Sequence, residues 1–139
     1  MINIIGGSGF IGNKLASVLK SKNINFINLD ISKSPFHKEK FKRCDVTNTE
    51  DLESSLKGNL IINLSAVHRD DVRPKSLYED VNVGGAKNIC KIAEKKGINK
   101  IIFTSSVAVY GFAEKNADEN CIPKPFNEYG KTKLRAEKV

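Results

Sequence analysis

The chain has 139 residues, 40% of them hydrophobic, with a formal net charge of +7 and a pI near 9.3. That size and composition fit one globular domain with a real core. They exclude a bilayer-spanning helix, which needs roughly 20 apolar residues in a row, and the start Met1-Ile2-Asn3-Ile4-Ile5 is too short and uncharged for a signal peptide.

The expectation is a soluble, cytoplasmic protein. Cys44, Cys90 and Cys121 are odd in number and too far apart for a CxxC pair, so they read as reduced thiols and no metal site is expected. The lysines are scattered apart from Lys38, Lys40, Lys42 and Arg43. Such a surface attracts anionic ligands, and nucleic acid is not an expected partner.

Short apolar runs at Ile2–Ile5, 26–29, 60–64 and 101–103 read as strands buried on both faces of a parallel sheet. A further short strand is expected within 41–46. Ile11, Leu15, Val18 and Leu19 follow one face of a first helix. Asp51 to Leu56 predicts a short second helix. Leu77, Val81, Ala86, Ile89, Cys90 and Ala93 trace a longer one, ended by Gly97. A last helix is expected over 127–139. Strands alternating with helices imply βαβ units and an α/β, doubly wound parallel sheet of the Rossmann type. No strand follows the last helix, although such sheets normally have six or more. The whole of 1–139 therefore reads as one incomplete dinucleotide-binding domain.

Gly6-Gly7-Ser8-Gly9-Phe10-Ile11-Gly12 joins the first strand to the first helix. A diphosphate needs backbone N–H donors at close range and the positive end of a helix, and Cβ atoms there would block it. Gly12 also lets the helix pack closely. Asp30 follows Gly12 by 18 positions, close to the spacing of the acid that binds the adenosine ribose. A carboxylate there repels a 2′-phosphate, which favours NAD over NADP, although Lys33 nearby pulls the other way.

Tyr129 and Lys133 stand at i and i+4, so on a helix they share a face. An ammonium beside a phenol favours the phenolate and makes proton transfer feasible near neutral pH. Ser106 follows the last strand, where open α/β sheets place their crevice. His68, Asp70 and Asp71 read as a solvated loop, and His37 suggests no chemistry.

Taken together these segments resemble the extended short-chain dehydrogenase/reductase family, in its NAD-dependent epimerase/dehydratase group, and are UDP-glucose 4-epimerase-like. The resemblance covers the whole chain as the N-terminal portion of such a protein. Beside the glycine loop, Asp45-Val46 resembles the adenine-contacting pair after the third strand. Asn63-Leu64-Ser65-Ala66 is similar to the Asn-Leu-Ala-Ala after the fourth. Asn82-Val83-Gly84-Gly85-Ala86-Lys87-Asn88 resembles the Asn-Val-x-Gly-Thr-x-Asn helix, with Ala86 in place of threonine. Thr104-Ser105-Ser106-Val107-Ala108-Val109-Tyr110-Gly111 is similar to the segment that carries the catalytic serine.

The resemblance implies NAD held by Gly6, Gly9, Phe10, Ile11, Gly12, Asp30, Asp45, Val46, Leu64, Ala66, Asn82, Tyr129 and Lys133. It implies catalysis by Ser106, Tyr129 and Lys133 on a nucleotide-sugar, with a UDP-sugar favoured. Tyr129 would take a hydroxyl proton, Lys133 would hold the nicotinamide ribose and Ser106 would orient the reacting oxygen. Tyr110 reads equally as a substrate-side aromatic or as packing. Sugar dehydratases of the group carry an Asp-Glu pair where this chain has Val107 and Ala108, so epimerase or ketoreductase chemistry is expected. The family's substrate lobe is expected to be missing here. A non-catalytic dinucleotide-binding fragment is therefore the alternative, and a homodimer stays open.

Overall fold

A computed structural model describes residues 1–112 and 117–139. The chain packs as two compact units. The first comprises Met1–Ser65 and Asn88–Thr104, the second Ala66–Lys87 and Ser105–Val139.

The first unit holds the whole sheet: β1 (Ile2–Ile5), β2 (Phe26–Asp30), β3 (Phe41–Arg43), β4 (Leu60–Asn63) and β5 (Ile101–Phe103). All neighbours are parallel, in the order β3-β2-β1-β4-β5. This is the doubly wound sheet the alternating pattern implied. Successive strands step one way from β1 to β3, then the other way through β4 and β5. The order therefore reverses between β1 and β4, and such sheets bind ligands at the carboxyl ends of the strands flanking that reversal.

Helix α1 (Phe10–Ser21) lies against the sheet through a narrower stripe than its large apolar residues suggest. Gly12, Ala16 and Leu19 are its buried residues, spaced i, i+4, i+7, and they join Ile4 and Phe26 in the core. Ile11 and Val18, expected on the buried face, are 59% and 43% exposed. At Gly12 only glycine fits, because a Cβ there would meet the Gly7 backbone.

β3 falls within the expected 41–46 and stops at Arg43, because Asp45 turns the chain. Its carboxylate accepts from the Thr47 amide at 2.9 Å and the Thr47 hydroxyl at 2.7 Å. Asn48 then caps α2 (Thr49–Ser55), its side chain accepting from the Glu50 and Asp51 amides. The helix thus starts two residues before its expected position.

The long helix of the sequence reading is interrupted. A single turn α3 (Ser76–Tyr78) runs into a π-helical segment, Glu79–Gly84, and then into α4 (Gly85–Lys95). A π turn inserts an extra residue and rotates the faces. Val83 is therefore buried while Leu77 and Val81 are only half-buried, contrary to an unbroken 3.6-residue period. Gly97 ends α4 as expected, at φ +66°. Its amide donates to Glu94 O at 3.0 Å and that of Ile98 to Ala93 O at 2.8 Å.

The second unit carries a 3₁₀ turn at Val107–Val109 and helix α5 (Glu128–Ala136). Asn127 caps α5 by accepting from the Gly130 amide at 2.8 Å. No helix among the described residues is long and apolar enough to cross a membrane.

Candidate functional site

In the first unit the turn after β1 is built for close approach. Gly6 has φ +76°, and a Cβ there would stand 2.8 Å from Leu64 C and Ser65 N, backbone atoms at the end of β4. A Cβ on Gly12 would lie 2.6 Å from both Cα and O of Gly7. The chain's own packing therefore demands glycine at 6 and 12. Gly9 is different: its nearest obstacle is Gly6 O at 3.3 Å, so little within the chain forbids a side chain there.

Gly9 is the N-cap of α1. No side chain caps this helix and no acid lies in its first turn. The amides of Phe10, Ile11 and Gly12 accordingly open on the positive end of the helix without an internal acceptor. Phe10 is 90% exposed, so the start of the helix is not roofed by its own side chains. This cradle fits a dinucleotide diphosphate.

Asp30 is already engaged with the turn. One carboxylate oxygen accepts from the Ser8 amide at 3.0 Å and the other from the Ser32 amide at 3.0 Å. Asp45 is half-buried and Val46 buried, and the Val46 carbonyl is held by Asn88 Nδ2 at 3.0 Å. Leu64 is half-buried, its amide donating to Ile5 O at 2.8 Å.

The second unit brings Ser106, Tyr129 and Lys133 together on two packed elements. The Ser106 side chain caps the 3₁₀ turn, accepting from the Ala108 amide at 3.2 Å. α5 lies tight against that turn: a Cβ on Gly130 would meet Ala108 O at 2.5 Å. Tyr129 is half-buried, and Lys133, one helical turn on, is 2% exposed. Burial pushes the Lys133 ammonium down from 10.5 to about 8, and the Glu137 carboxylate opposes that fall. Ala66, at the start of this unit, is half-buried. Tyr110 is half-buried, and desolvation, then Glu119 and Glu137, raise its pKa and keep it neutral.

Asn82 sits in the π-helical segment with its amide fully occupied. Its oxygen accepts from the Val67 amide at 2.8 Å, and its nitrogen donates to Val67 O at 3.0 Å and Thr132 Oγ1 at 2.9 Å. Thr132 in turn donates to Glu128 O at 2.8 Å. The side chain thus fastens the backbone at Val67 to α5, a role that Thr132, unmarked by any motif, completes. Asn82→Ala removes three hydrogen bonds, two to the half-buried Val67 backbone and one to the buried Thr132. We expect a stability loss of about 2–4 kcal/mol by urea denaturation.

The loop carboxylates are spent locally: Asp71 pairs with Arg69 at 2.9 Å, and Asp70 accepts from Asn127 Nδ2 at 3.3 Å.

The parallel sheet and the glycine turn of the first unit fit the dinucleotide-binding α/β class, and comparison with known proteins narrows it. The chain belongs to the NAD dependent epimerase/dehydratase family, whose profile it matches over residues 2–139. It is 47% identical over 137 residues to the N-acetyl-alpha-D-glucosaminyl-diphospho-ditrans,octacis-undecaprenol 4-epimerase of Escherichia coli O157:H7, covering 98% of this chain and 41% of that protein. It is 30% identical to the human decarboxylating sterol-4-alpha-carboxylate 3-dehydrogenase, over 98% of this chain and 38% of that one. Among solved structures, UDP-glucose 4-epimerase from Brucella ovis in complex with NAD superposes with a TM-score of 0.88 at 26% identity, covering 99% of this chain and 45% of that one. The chain spans less than half the length of these relatives.

Proposed function

We propose that this chain is the cofactor-binding and proton-handling portion of an NAD-dependent sugar 4-epimerase acting on a glycosyl diphosphate. The observation that carries the reading is Lys133, an ammonium buried to 2% exposure one turn after Tyr129. Burying a charge opposes folding, and such perturbed groups concentrate at chemical sites.

In this reading the amides at the start of α1 hold the diphosphate of NAD, and Asp30 receives the adenosine ribose. NAD, when bound, supplies the acceptor and later the donor of the sugar hydride. Tyr129 takes the proton of the C4 hydroxyl and returns it, moving it at its phenolic oxygen. Lys133 lies along the same helical face, where its positive charge favours the phenolate and its N–H groups can reach a ribose hydroxyl. Ser106 orients the reacting oxygen. Val107 and Ala108 carry no group able to transfer a proton, which supports epimerisation or ketoreduction over loss of water.

Two carriers can bear the sugar. The Brucella ovis relative is named for UDP-glucose, and the 47%-identical relative for a sugar on undecaprenyl diphosphate. The higher identity supports the polyprenyl carrier. Calorimetric titration with NAD, then turnover assays with UDP-N-acetylglucosamine and with a short polyprenyl-diphosphate analogue, test the reading. Micromolar NAD binding is expected, with turnover of one carrier lost in Tyr129→Phe. NAD binding with no turnover of either carrier supports the fragment reading instead. Absence of NAD binding overturns both.

A further inference from the structure

Glu137 is the C-cap of α5, one turn beyond Lys133, and its amide donates to Lys133 O at 3.0 Å. Its side-chain oxygen Oε1 accepts the hydroxyl of Ser105, the residue just before Ser106. At the other end of α5, Gly130 rests on Ala108 O. The helix is therefore fastened to the serine segment at two points, seven residues or about 10 Å apart along its axis. Lys133 lies between them, and Tyr129 lies next to Gly130.

The charged groups around α5 divide clearly. Glu79, from the π-helical segment, is taken by Arg135 at 2.5 Å. Lys131 pairs with Glu128 at 3.1 Å. Tyr78, on α3, donates its hydroxyl to Arg69 O. Asp80 is exposed. Among the described residues, Glu137 supplies a carboxylate whose field reaches the Lys133 ammonium and Tyr110. Nothing in the hydride and proton steps described above uses it.

We propose that Glu137 is a positioning residue of this site, tying Ser105 and so Ser106 to α5 and placing a counter-charge one helical turn from the buried Lys133. It rests on the proposed function only for the meaning of the site. Its test does not, because the charge on Lys133 can be read without cofactor, substrate or turnover.

The experiment is a pH titration of the full chain labelled with ¹³C at the lysine Cε, followed by NMR. With Glu137 in place the Lys133 midpoint lies near 8. Glu137→Gln keeps an acceptor for Ser105 and removes the charge, and should move the midpoint down by about one pH unit. Ser105→Ala keeps the charge and should leave the midpoint in place while speeding amide exchange at Ser106 and Val107. A purely structural Glu137 would give the same midpoint in Glu137→Gln as in the parent, and that result overturns the proposal. Should Glu137→Gln not fold, Glu137→Met removes the charge in its place, with Ser105→Ala as the control for the lost hydrogen bond. A midpoint below the parent's supports the proposal, and an unchanged one overturns it. Failure to bind NAD, by contrast, would sink the function and leave this titration as it stands.

Discussion

Gly12→Ala is expected to abolish measurable NAD binding and to destabilise the chain. The added methyl would stand 2.6 Å from two Gly7 backbone atoms, which have no rotamer by which to yield. Either α1 shifts away from the turn or the turn opens, and both disperse the amides of Phe10, Ile11 and Gly12. Overpacking of this kind costs about 1–3 kcal/mol. Losing an aligned set of charge-assisted donors weakens NAD by at least about 100-fold, or ~3 kcal/mol. Gly9→Ala is the matched comparison, since its Cβ meets only Gly6 O at 3.3 Å. Its stability should stay within about 1 kcal/mol of the parent, while NAD affinity falls because the methyl enters the ligand's space. Calorimetry with NAD and urea denaturation separate the two effects. Parental NAD affinity in Gly12→Ala would show that the turn is not the diphosphate site.

The second large effect concerns stability against pH. Lys133 titrates near 8 in the folded chain and at its ordinary value of 10.5 when unfolded. Below pH 8 both states hold the proton, and the fold carries the net cost of burying it. Between about 8 and 10.5 the unfolded chain holds a proton that the folded one has released, so this group makes stability rise with pH. The drop corresponds to about 3 kcal/mol. Lys133→Met is therefore expected to stabilise the chain at pH 7 by up to about 3 kcal/mol while removing activity. The gain should shrink through pH 8–10.5 and vanish above it. Cys44 acts in the opposite sense. Desolvation raises its thiol from 9.0 to about 11, so its contribution is present below 9 and is lost as pH climbs toward 11. The parent's own curve is thus a sum of opposed terms, and the variant-minus-parent difference isolates the lysine. Urea midpoints at pH 7, 9 and 10.5 supply it. A destabilised Lys133→Met at pH 7, or a difference flat with pH, would contradict the burial argument.

The sheet was legible in the sequence because its signal is large: four short apolar runs of Ile, Leu and Phe, alternating with helical stretches, leave few other arrangements. The glycine turn was legible for the same reason, since glycine at 6 and 12 answers a steric demand within the chain. What escaped the sequence reading follows from smaller signals. The buried stripe of α1 rests on Gly12 and Ala16, which contribute almost nothing to a hydrophobic pattern. The π turn at Glu79–Gly84 shifts the helix phase by one residue with no compositional mark, so Val83 was missed and Leu77 overvalued. At the candidate site the serine, tyrosine and lysine carried a motif, whereas Thr132 and Glu137 act through bonds to partners 50 and 32 residues away. Such pairings become visible only when the chain is folded.

Asp30 holds the Ser8 amide with one oxygen and the Ser32 amide with the other. Anyone redesigning this protein to accept the phosphorylated nicotinamide cofactor would begin by neutralising that side chain. The same substitution would unlatch the turn on which either cofactor must rest. If Asp30 receives the adenosine ribose as proposed, coenzyme choice and turn shape are a single trait in this chain, and a switch would require a new tether for residue 8 before any new cation is added.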